Sequence, residues 1–353
     1  MAIIDTPQAT ETPRADLRAR VLSLINANWT TQAISAAVQL GLADGLSGGP
    51  QPVLALAQRM SCHAPSLLRL LRALASVGIV VQVEDGRFAL TEMGTLLSTD
   101  VQGSLAAWAE FCGTYSWTTW GQLSDCVRGG QSVRKRAGHA AGFQRLEEDH
   151  KAASLFNRAM VSLTGSVAAT VVDTVDFAGT QRVVDVGGGF GELLAAVLRA
   201  HPSMRGVLFD MAHATEAASV SLREAGVAER CEVVTGSFFD AVPVGADAYL
   251  LKSILHDWDD EHCSLILAQC ARAMRPHARL LIVERMMSEQ SSVSARDQAI
   301  ARSDLNMLIG TGGCERTHEQ YRSLLKAAGL RPTNLLTLSG GFSVLDATLA
   351  SEL

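Results

Sequence analysis

A glycine-rich segment at residues 185–191, with the sequence DVGGGFG, constrains the fold more than any other feature of the chain. The apolar run Arg182–Val186 before it predicts a short strand, and Glu192–Ala200 after it predicts a helix. In α/β sheets, ligands resembling nucleotides bind at such a loop, because glycines adopt positive φ angles and let the backbone approach a ligand closely. The segment therefore predicts an α/β domain that binds a small ligand.

The chain beyond residue 181 alternates between apolar strands and helices. This alternation predicts a Rossmann-like, doubly wound parallel sheet with helices on both faces. The predicted strands are 182–186, 206–210, 231–235, 246–251 and 279–283, the predicted helices are 192–200, 216–225, 261–274 and 318–328, and two strands follow at the end.

The N-terminal part has a different pattern. Residues 16–46 show helical periodicity, and two further helices are predicted at 53–60 and 67–77. A hairpin over 79–90 completes the outline of a winged helix. The second of these helices carries only Arg69 and Arg72 as cations, which favours dimerisation or a lid over DNA binding. The apolar first helices predict a homodimer, since such a surface is too apolar to face water.

A chain of 353 residues is long enough for two domains. We predict a flexible tail at 1–13, a mostly helical winged-helix dimerisation domain at 14–102, a helical linker lining the substrate pocket at 103–170, and a ligand-binding catalytic domain at 171–353. The basic run 134–136 is predicted to be a solvated surface.

Composition excludes several classes of protein. Hydrophobic residues make up 48% and charged residues 19%, which is a globular balance, and the net charge of −6 does not favour nucleic-acid binding. The seven cysteines include no CxxC pair, so neither a disulfide framework nor a zinc site is expected, and a reducing cytoplasm fits. A signal peptide is not expected, and neither is an apolar run of the ~18–20 residues that span a membrane.

The glycine loop matches one ligand class better than another. A dinucleotide fingerprint G-x-G-x-x-G starting at Gly187 would need a glycine where Glu192 stands. The loop fits the D/E-x-G-x-G-x-G pattern of adenosylmethionine sites. Asp210, which ends the next strand, can accept hydrogen bonds from both ribose hydroxyls and would repel a 2′-phosphate. The segment 236–239 follows the third strand and is placed to line an adenine.

Two further segments identify a family. Residues 251–261 (LKSILHDWDDE) and 312–317 (GGCERT), together with the glycine loop, resemble the S-adenosylmethionine-dependent O-methyltransferases. These include plant caffeate and flavonoid enzymes and bacterial enzymes that tailor antibiotics and pigments. The resemblance extends over nearly the whole chain. It implies a homodimeric enzyme of secondary metabolism that uses S-adenosyl-L-methionine to methylate a hydroxyl of a small aromatic metabolite, phenolic or polyketide-like.

The resemblance also implies roles for individual residues. The histidine of the HDW motif, His256, would be the general base, flanked by Glu284 and Glu315. No metal is expected. The positions that match the cofactor site are Asp185, Gly187, Gly189, Asp210, Ser237, Phe238, Lys252 and Trp258. The positions that match the substrate pocket are Met160, Asp304 and Met307.

One position departs from the family. An acid usually follows the glycine at 236, whereas this chain has Ser237. A serine can still accept a hydrogen bond from the adenine amino group, but as a neutral acceptor it should bind the cofactor more weakly. Asp240 is an alternative acceptor.

The chemistry explains why a histidine is needed. A phenol has a pKa near ~10 and is neutral at pH 7, so a base with a pKa near ~6.5 can take its proton as the nucleophile forms. A carboxylate on the other ring nitrogen would fix the tautomer and stabilise the imidazolium.

Three alternatives stay open: another reaction on the same scaffold (decarboxylation, hydroxylation or a pericyclic step), a nitrogen or carbon acceptor, and a cofactor-sensing DNA-binding regulator.

Overall fold

The structure of the protein is a computed structural model that describes residues 14–138 and 150–350. These residues form two compact units, which divide between Ser116 and Trp117. The predicted tail at residues 1–13 lies outside the described residues. The predicted domain boundaries after residues 102 and 170 stay predictions.

The first unit contains the predicted winged helix. Two helices with a short turn between them precede an antiparallel hairpin in which Val81 lies opposite Ala89. The sequence prediction of this motif is therefore confirmed. The elements of the unit are α1 (Arg14–Gln39), α2 (Leu42–Leu46), α3 (Val53–Arg59), α4 (Ala64–Ser76), β1 (Val80–Gln82), β2 (Phe88–Leu90), α5 (Glu92–Thr95) and α6 (Ala106–Gly113).

Helix α1 leaves large apolar side chains uncovered within its own unit. Leu24, Ile25 and Trp29 are 68%, 63% and 67% exposed, although its C-terminal half packs Ala37 into the core with α2 and α4. A helix face this apolar is unfavourable in water, which agrees with the predicted dimerisation role.

The second unit is built on a mixed sheet, with helix α7 (Tyr115–Trp120) crossing the division between the units. Its further helices are α8 (Leu123–Gly129), α9 (Val133–Arg136), α10 (His150–Thr174), α11 (Glu192–Ala200), α12 (Ala212–Glu224), α13 (Asp260–Ala273), α14 (Ala295–Ile309) and α15 (His318–Ala327). Its strands are β3 (Arg182–Val186), β4 (Arg205–Asp210), β5 (Cys231–Thr235), β6 (Ala248–Lys252), β7 (Arg279–Met287), β8 (Arg316–Thr317), β9 (Leu330–Thr337) and β10 (Phe342–Leu349).

The sheet confirms the Rossmann-like class but is not parallel throughout. The strand order is β5-β4-β3-β6-β7-β10-β9, with β8 pairing with β7 off this path. The five strands from β5 to β7 are parallel, whereas β10 runs antiparallel to both β7 and β9. The expectation of a parallel sheet is therefore wrong at β10, which returns through a short turn after β9 and inserts antiparallel between β7 and β9.

The strand register brings the predicted ligand residues to one edge. Val186 at the end of β3 lies beside Phe209, next to Asp210 at the end of β4. Lys252 at the end of β6 lies beside Val283 of β7, one residue before Glu284. Parallel strands end at a common edge, so the glycine loop, Asp210 and the segment after β6 meet there.

One described segment, Lys151–Thr174 of α10, is long and apolar enough to cross a membrane by those two criteria alone. No such run was expected from the sequence. Val167, Ala168 and Val171 of this helix are buried in the hydrophobic core of the second unit.

Candidate active site

The predicted base lies on a short 3-10 turn, Leu255–Asp257, which follows β6. The turn is entered through Ser253, whose φ of 55° lies in the left-handed region that side chains rarely adopt. Glu284 holds the turn from one side, because its Oε1 atom accepts hydrogen bonds from the backbone N–H groups of Ile254 (3.0 Å), Leu255 (2.9 Å) and His256 (3.4 Å). Glu284 is therefore a cap of the turn as well as a neighbour of the histidine.

Arg316 holds the same turn from its carbonyl side. Its fully buried guanidinium donates to the carbonyl oxygens of Leu255 (2.9 Å) and Trp258 (2.7 Å) and also bonds Asp260. The thiol of Cys263 donates to the Leu255 carbonyl as well, at 3.2 Å. Arg316 belongs to the GGCERT motif, but the sequence alone did not indicate this role.

Gly313 allows the GGCERT segment to lie directly against this turn. A Cβ atom at this position would stand 2.1 Å from the carbonyl oxygen of His256 and 2.6 Å from the backbone nitrogen of Trp258. No side chain fits there, so a glycine is required. This role was also missed, although Gly313 belongs to the same motif.

The structure brings together the three residues predicted for catalysis. The Nδ1 atom of His256 is 3.3 Å from Oε1 of Glu315 and 3.5 Å from Oε2 of Glu284. The Nε2 atom of the same ring is 3.9 Å from Oδ1 of Asp257. His256 is 9% exposed, and both glutamates are buried more deeply. The arrangement is that of an imidazole oriented by carboxylates on one nitrogen.

Burial and charge act in opposite directions on this cluster. Burial lowers the pKa of His256, but the negative charges of Glu284, Asp257 and Glu315 outweigh it and raise that pKa to about 10. Burial raises the pKa of Glu284 to about 7, against the attraction of the imidazolium. A proton on Glu284 would remove the charge that most favours the imidazolium, so the titrations of His256 and Glu284 are coupled.

Helix α14 fixes Glu315. Ser303 donates its hydroxyl hydrogen to Oε1 of Glu315 at 2.6 Å, and the backbone N–H of Glu315 donates to Oδ1 of Asp304 at 2.9 Å. Asp304 was predicted to line the substrate pocket, and that contact stays a prediction. The hydrogen bond that Asp304 accepts from the Glu315 backbone helps to hold Glu315 in place.

The glycine loop fits a small cationic ligand such as the predicted cofactor. Oδ2 of Asp210 accepts a hydrogen bond from the N–H of Gly189 at 2.8 Å, which ties the loop to the end of β4. A Cβ atom at Gly189 would meet nothing within 4 Å, so the loop faces open space there. Oδ2 of Asp185 is buried without a hydrogen bond, and burial together with the charge of Asp210 raises the pKa of Asp185 to about 7. A positively charged ligand would favour the ionised form of Asp185.

Gly187, by contrast, is crowded by the segment that carries the base. A Cβ atom at Gly187 would stand 2.5 Å from the side chain of Ile254. The glycine, with φ of 71°, thus lets the loop and the turn of His256 lie in contact.

Aromatic side chains form the next part of the site. The ring of Phe238 lies edge-on to that of Trp258 at 6.0 Å, and Phe239 lies edge-on to both. Ser237 uses its Oγ atom to accept a bond from the N–H of Phe239 at 3.2 Å. A hydroxyl oxygen has a second lone pair, so the weaker contact that Ser237 is expected to make with the adenine amino group stays a prediction.

Lys252 connects the ligand edge to helix α10. Its ammonium donates to Oγ1 of Thr164 at 2.8 Å, and burial lowers its pKa to about 8, against the charges of Glu284 and Asp185. Thr164 was not predicted from the sequence, because no local pattern relates α10 to β6.

The remaining predicted pocket residues lie on two helices. Met160 on α10 and Met307 on α14 are both half-buried, and their contact with a substrate stays a prediction.

Arg134 of α9 is also half-buried, and its charge opposes the rise that burial imposes on the pKa of Asp257. The prediction of a solvated basic run is therefore wrong for Arg134.

The donor atoms of His256, Glu284 and Glu315 lie within 4.8 Å of one another, which is close enough to share a metal ion or a proton. Oε1 of Glu284 is already used by three backbone N–H groups, and Oε1 of Glu315 by Ser303. The expectation that no metal takes part stays a prediction.

Comparisons with known proteins agree with this arrangement. Residues 120–331 match the O-methyltransferase domain, and residues 22–100 match the O-methyltransferase dimerisation domain. The chain belongs to the O-methyltransferase family and is an S-adenosylmethionine-dependent enzyme that forms a homodimer. The match favours an enzyme over the DNA-binding regulator considered above.

Individual relatives cover nearly the whole chain. The phenazine O-methyltransferase PhzM of Lysobacter antibioticus is 36% identical over 93% of this chain and 95% of its own. The mitomycin biosynthesis 6-O-methyltransferase of Streptomyces lavendulae is 37% identical over 97% of each chain. The solved structure of CalO1, a methyltransferase of calicheamicin biosynthesis with SAH bound, is 30% identical, with a TM-score of 0.82 over 96% of this chain and 100% of its own. Aclacinomycin 10-hydroxylase RdmB of Streptomyces purpurascens is 33% identical over 92% and 88%.

Asp210 provides a direct test of the cofactor site. Asp210→Asn keeps the size of the side chain but removes its charge, so S-adenosylmethionine should bind about 10- to 100-fold more weakly, as expected for losing a charged hydrogen bond. Isothermal titration calorimetry measures this change. Asp247→Asn is the matched control, because Asp247 also accepts two backbone N–H bonds, from Gln181 and Arg182, but precedes β6 at the opposite edge. Equal affinity in the Asp210 variant and the wild type would contradict the assignment.

Proposed function

We propose that the protein transfers a methyl group to a hydroxyl of a small aromatic metabolite, with His256 as the general base. The observation that carries this proposal is the buried imidazole with two carboxylates at Nδ1, which leaves Nε2 for an acceptor hydroxyl. The phenazine and mitomycin relatives, named as O-methyltransferases, support an acceptor of this class.

The bound cofactor supplies an electrophilic methyl group on a sulfonium. The protein has to hold the acceptor oxygen in line with it and to remove the hydroxyl proton, and positioning of this kind removes much of the barrier. His256 takes the proton on Nε2, while Glu315 and Glu284 stabilise the imidazolium through Nδ1. The ring is held still because Glu284 and Arg316 bind the backbone of its turn from two sides.

We further propose that Asp185, Gly187, Gly189, Asp210, Ser237, Phe238, Lys252 and Trp258 contact the cofactor and that Met160, Asp304 and Met307 line the acceptor pocket. A cytoplasmic location belongs to the same proposal. It is supported by the seven cysteines, all of which are described and unpaired.

A panel of acceptors tests the reaction. The purified homodimer is incubated with methyl-deuterated S-adenosylmethionine, EDTA and single phenols, hydroxynaphthoates, hydroxyphenazines or aromatic amines. We expect at least one hydroxylated acceptor to gain a deuterated methyl group on oxygen by mass spectrometry, unchanged by EDTA. Gain on nitrogen alone, or a requirement for added metal, would contradict the proposal.

The similarity to a hydroxylase supports a second candidate, a different reaction on the same scaffold. This candidate predicts tight cofactor binding with no label transfer to any acceptor in the panel. The buried imidazole with a carboxylate on either side of Nδ1 supports methyl transfer over this second candidate.

A further inference from the structure

The two acids beside His256 contact it in different ways. Oε1 of Glu284 accepts hydrogen bonds from three backbone N–H groups of the turn, and its Oε2 atom lies 3.5 Å from Nδ1. Glu315 presents its Oε1 atom to Nδ1 at 3.3 Å, and this contact is the shorter of the two. A neutral imidazole carries a single ring hydrogen, so Nδ1 can donate it well to only one of these acids. The nearer acceptor is Glu315.

Ser303 bonds the same oxygen atom of Glu315. Its hydroxyl donates to Oε1 at 2.6 Å, which is the length typical of a strong bond between a hydroxyl and a charged carboxylate. The Glu315 side chain is fully buried, so bulk water does not compete for that oxygen. Oε1 therefore lies within hydrogen-bond distance of both the serine hydroxyl and the imidazole.

The carboxylate of Glu315 has few other anchors. The bond from its backbone N–H to Asp304, at 2.9 Å, fixes the main chain but leaves the side-chain torsions free. Among the described residues, Ser303 and the imidazole are the groups that bond the carboxylate. The direction in which Oε1 points therefore depends on Ser303.

The bond that Ser303 makes is unusual for a serine inside a helix. Such hydroxyls commonly donate to the carbonyl group four residues earlier in the same helix. Ser264 on α13 does so, with its hydroxyl 2.7 Å from the carbonyl oxygen of Asp260. Ser303, in the interior of α14, instead bonds a side chain twelve residues later, outside its own helix. This exception indicates that the hydroxyl serves Glu315.

We propose that Ser303 is a positioning residue that makes Oε1 of Glu315 the acceptor of the Nδ1 hydrogen of His256. With its single hydrogen on Nδ1, the neutral ring has a free lone pair on Nε2, which is the form that a base needs. This inference rests on the proposed role of His256 as the base. In this account Ser303 touches neither the cofactor nor the acceptor and acts only through Glu315.

Loss of the Ser303 hydroxyl should lower kcat without changing substrate binding. Without it the Glu315 carboxylate can turn away from Nδ1, so a smaller fraction of His256 has its hydrogen on Nδ1 and its lone pair on Nε2. A hydrogen bond to a charged group changes an equilibrium by about tenfold, so we expect Ser303→Ala to lower kcat by about that factor. The KM values of the cofactor and the acceptor should stay the same.

A double-mutant cycle separates this role from a general loss of stability. Ser303→Ala should cause no further loss of kcat in a Glu315→Ala background, because the oxygen through which it acts is absent there. In a Glu284→Gln background the loss should persist in full, because glutamine keeps an Oε1 atom for the turn and leaves the contact between Ser303 and Glu315 intact. The rates come from the label-transfer assay.

Two further comparisons control for the shape of the side chain. Ser303→Thr keeps the hydroxyl and Ser303→Val has the same shape without it, so kcat of the threonine variant should be about tenfold above that of the valine variant. This pair decides the question if Ser303→Ala does not fold. Ser264→Ala is the matched control, because Ser264 is also a half-buried helix serine, and loss of its hydroxyl should leave kcat unchanged.

Equal kcat in the wild type and Ser303→Ala, equal losses in all three backgrounds, or equal kcat in the threonine and valine variants would each overturn the inference. A failure of the proposed function is distinguishable, because it appears as retained activity in a His256 variant or as no label on oxygen with the wild-type enzyme. Loss of activity in His256→Ala together with an unaffected Ser303→Ala would refute the role of Ser303 alone.

Discussion

Replacing His256 by alanine should lower kcat for a phenol acceptor by about 10²–10⁴-fold, the usual contribution of a positioned general base. The neutral phenol then has to lose its proton to water before or during attack. Binding of the cofactor should not change, because the imidazole contacts the acidic pair and not the glycine loop. The loss should be smaller for acceptors that are already ionised at the assay pH.

Steady-state kinetics with acceptors of different acidity measure this effect, and calorimetry checks cofactor binding. His63→Ala is a suitable control, because His63 is an exposed histidine of the first unit. A decrease in kcat of less than about tenfold with every phenol would show that another group takes the proton or that the acceptor is not a hydroxyl.

Gly313→Ala should disable the enzyme almost as strongly without removing any functional group. The added Cβ would stand 2.1 Å from the carbonyl oxygen of His256 and 2.5 Å from the carbonyl carbon of Asp257. Both are backbone atoms of the turn that carries the base, so the turn itself has to move. A displacement of about 1 Å at a reacting group costs on the order of 10²-fold in rate, and we expect at least that loss in kcat.

Gly121→Ala is the matched control, because its Cβ would meet only an ordinary contact of 3.5 Å with the carbonyl oxygen of Thr118. Rates come from the same label-transfer assay, and thermal unfolding shows how much stability each variant loses. Wild-type kcat in Gly313→Ala would contradict the close packing between the GGCERT segment and the base.

The sequence predicted the parts of the fold that follow local patterns. Strand β3 and helix α11 begin and end at the predicted residues, because the glycine loop separates them sharply. The last two long strands were expected, but the antiparallel insertion of β10 between β7 and β9 was not. Strand order depends on how β10 packs against β7 and β9, and no periodicity in the chain encodes that choice.

The candidate site also combines residues that local motifs identified with residues that no local pattern indicated. The motifs identified His256, Glu284 and Glu315, and the structure brings them together. The residues that hold the site in place were missed because each of them contacts a part of the chain that is distant in sequence. Arg316 lies 61 residues from the Leu255 carbonyl to which it donates. The use of Glu284 as a backbone cap likewise depends on strand register.

The central claim is that Nε2 of His256 receives the proton of the acceptor hydroxyl. It is tested most directly by a crystal structure of the homodimer with S-adenosylhomocysteine and an acceptor that the label-transfer assay has identified. The account predicts the reactive oxygen within hydrogen-bond distance of Nε2, with Nδ1 still facing Glu284 and Glu315. An acceptor oxygen bound to another side chain, with the imidazole turned away from it, would contradict the account.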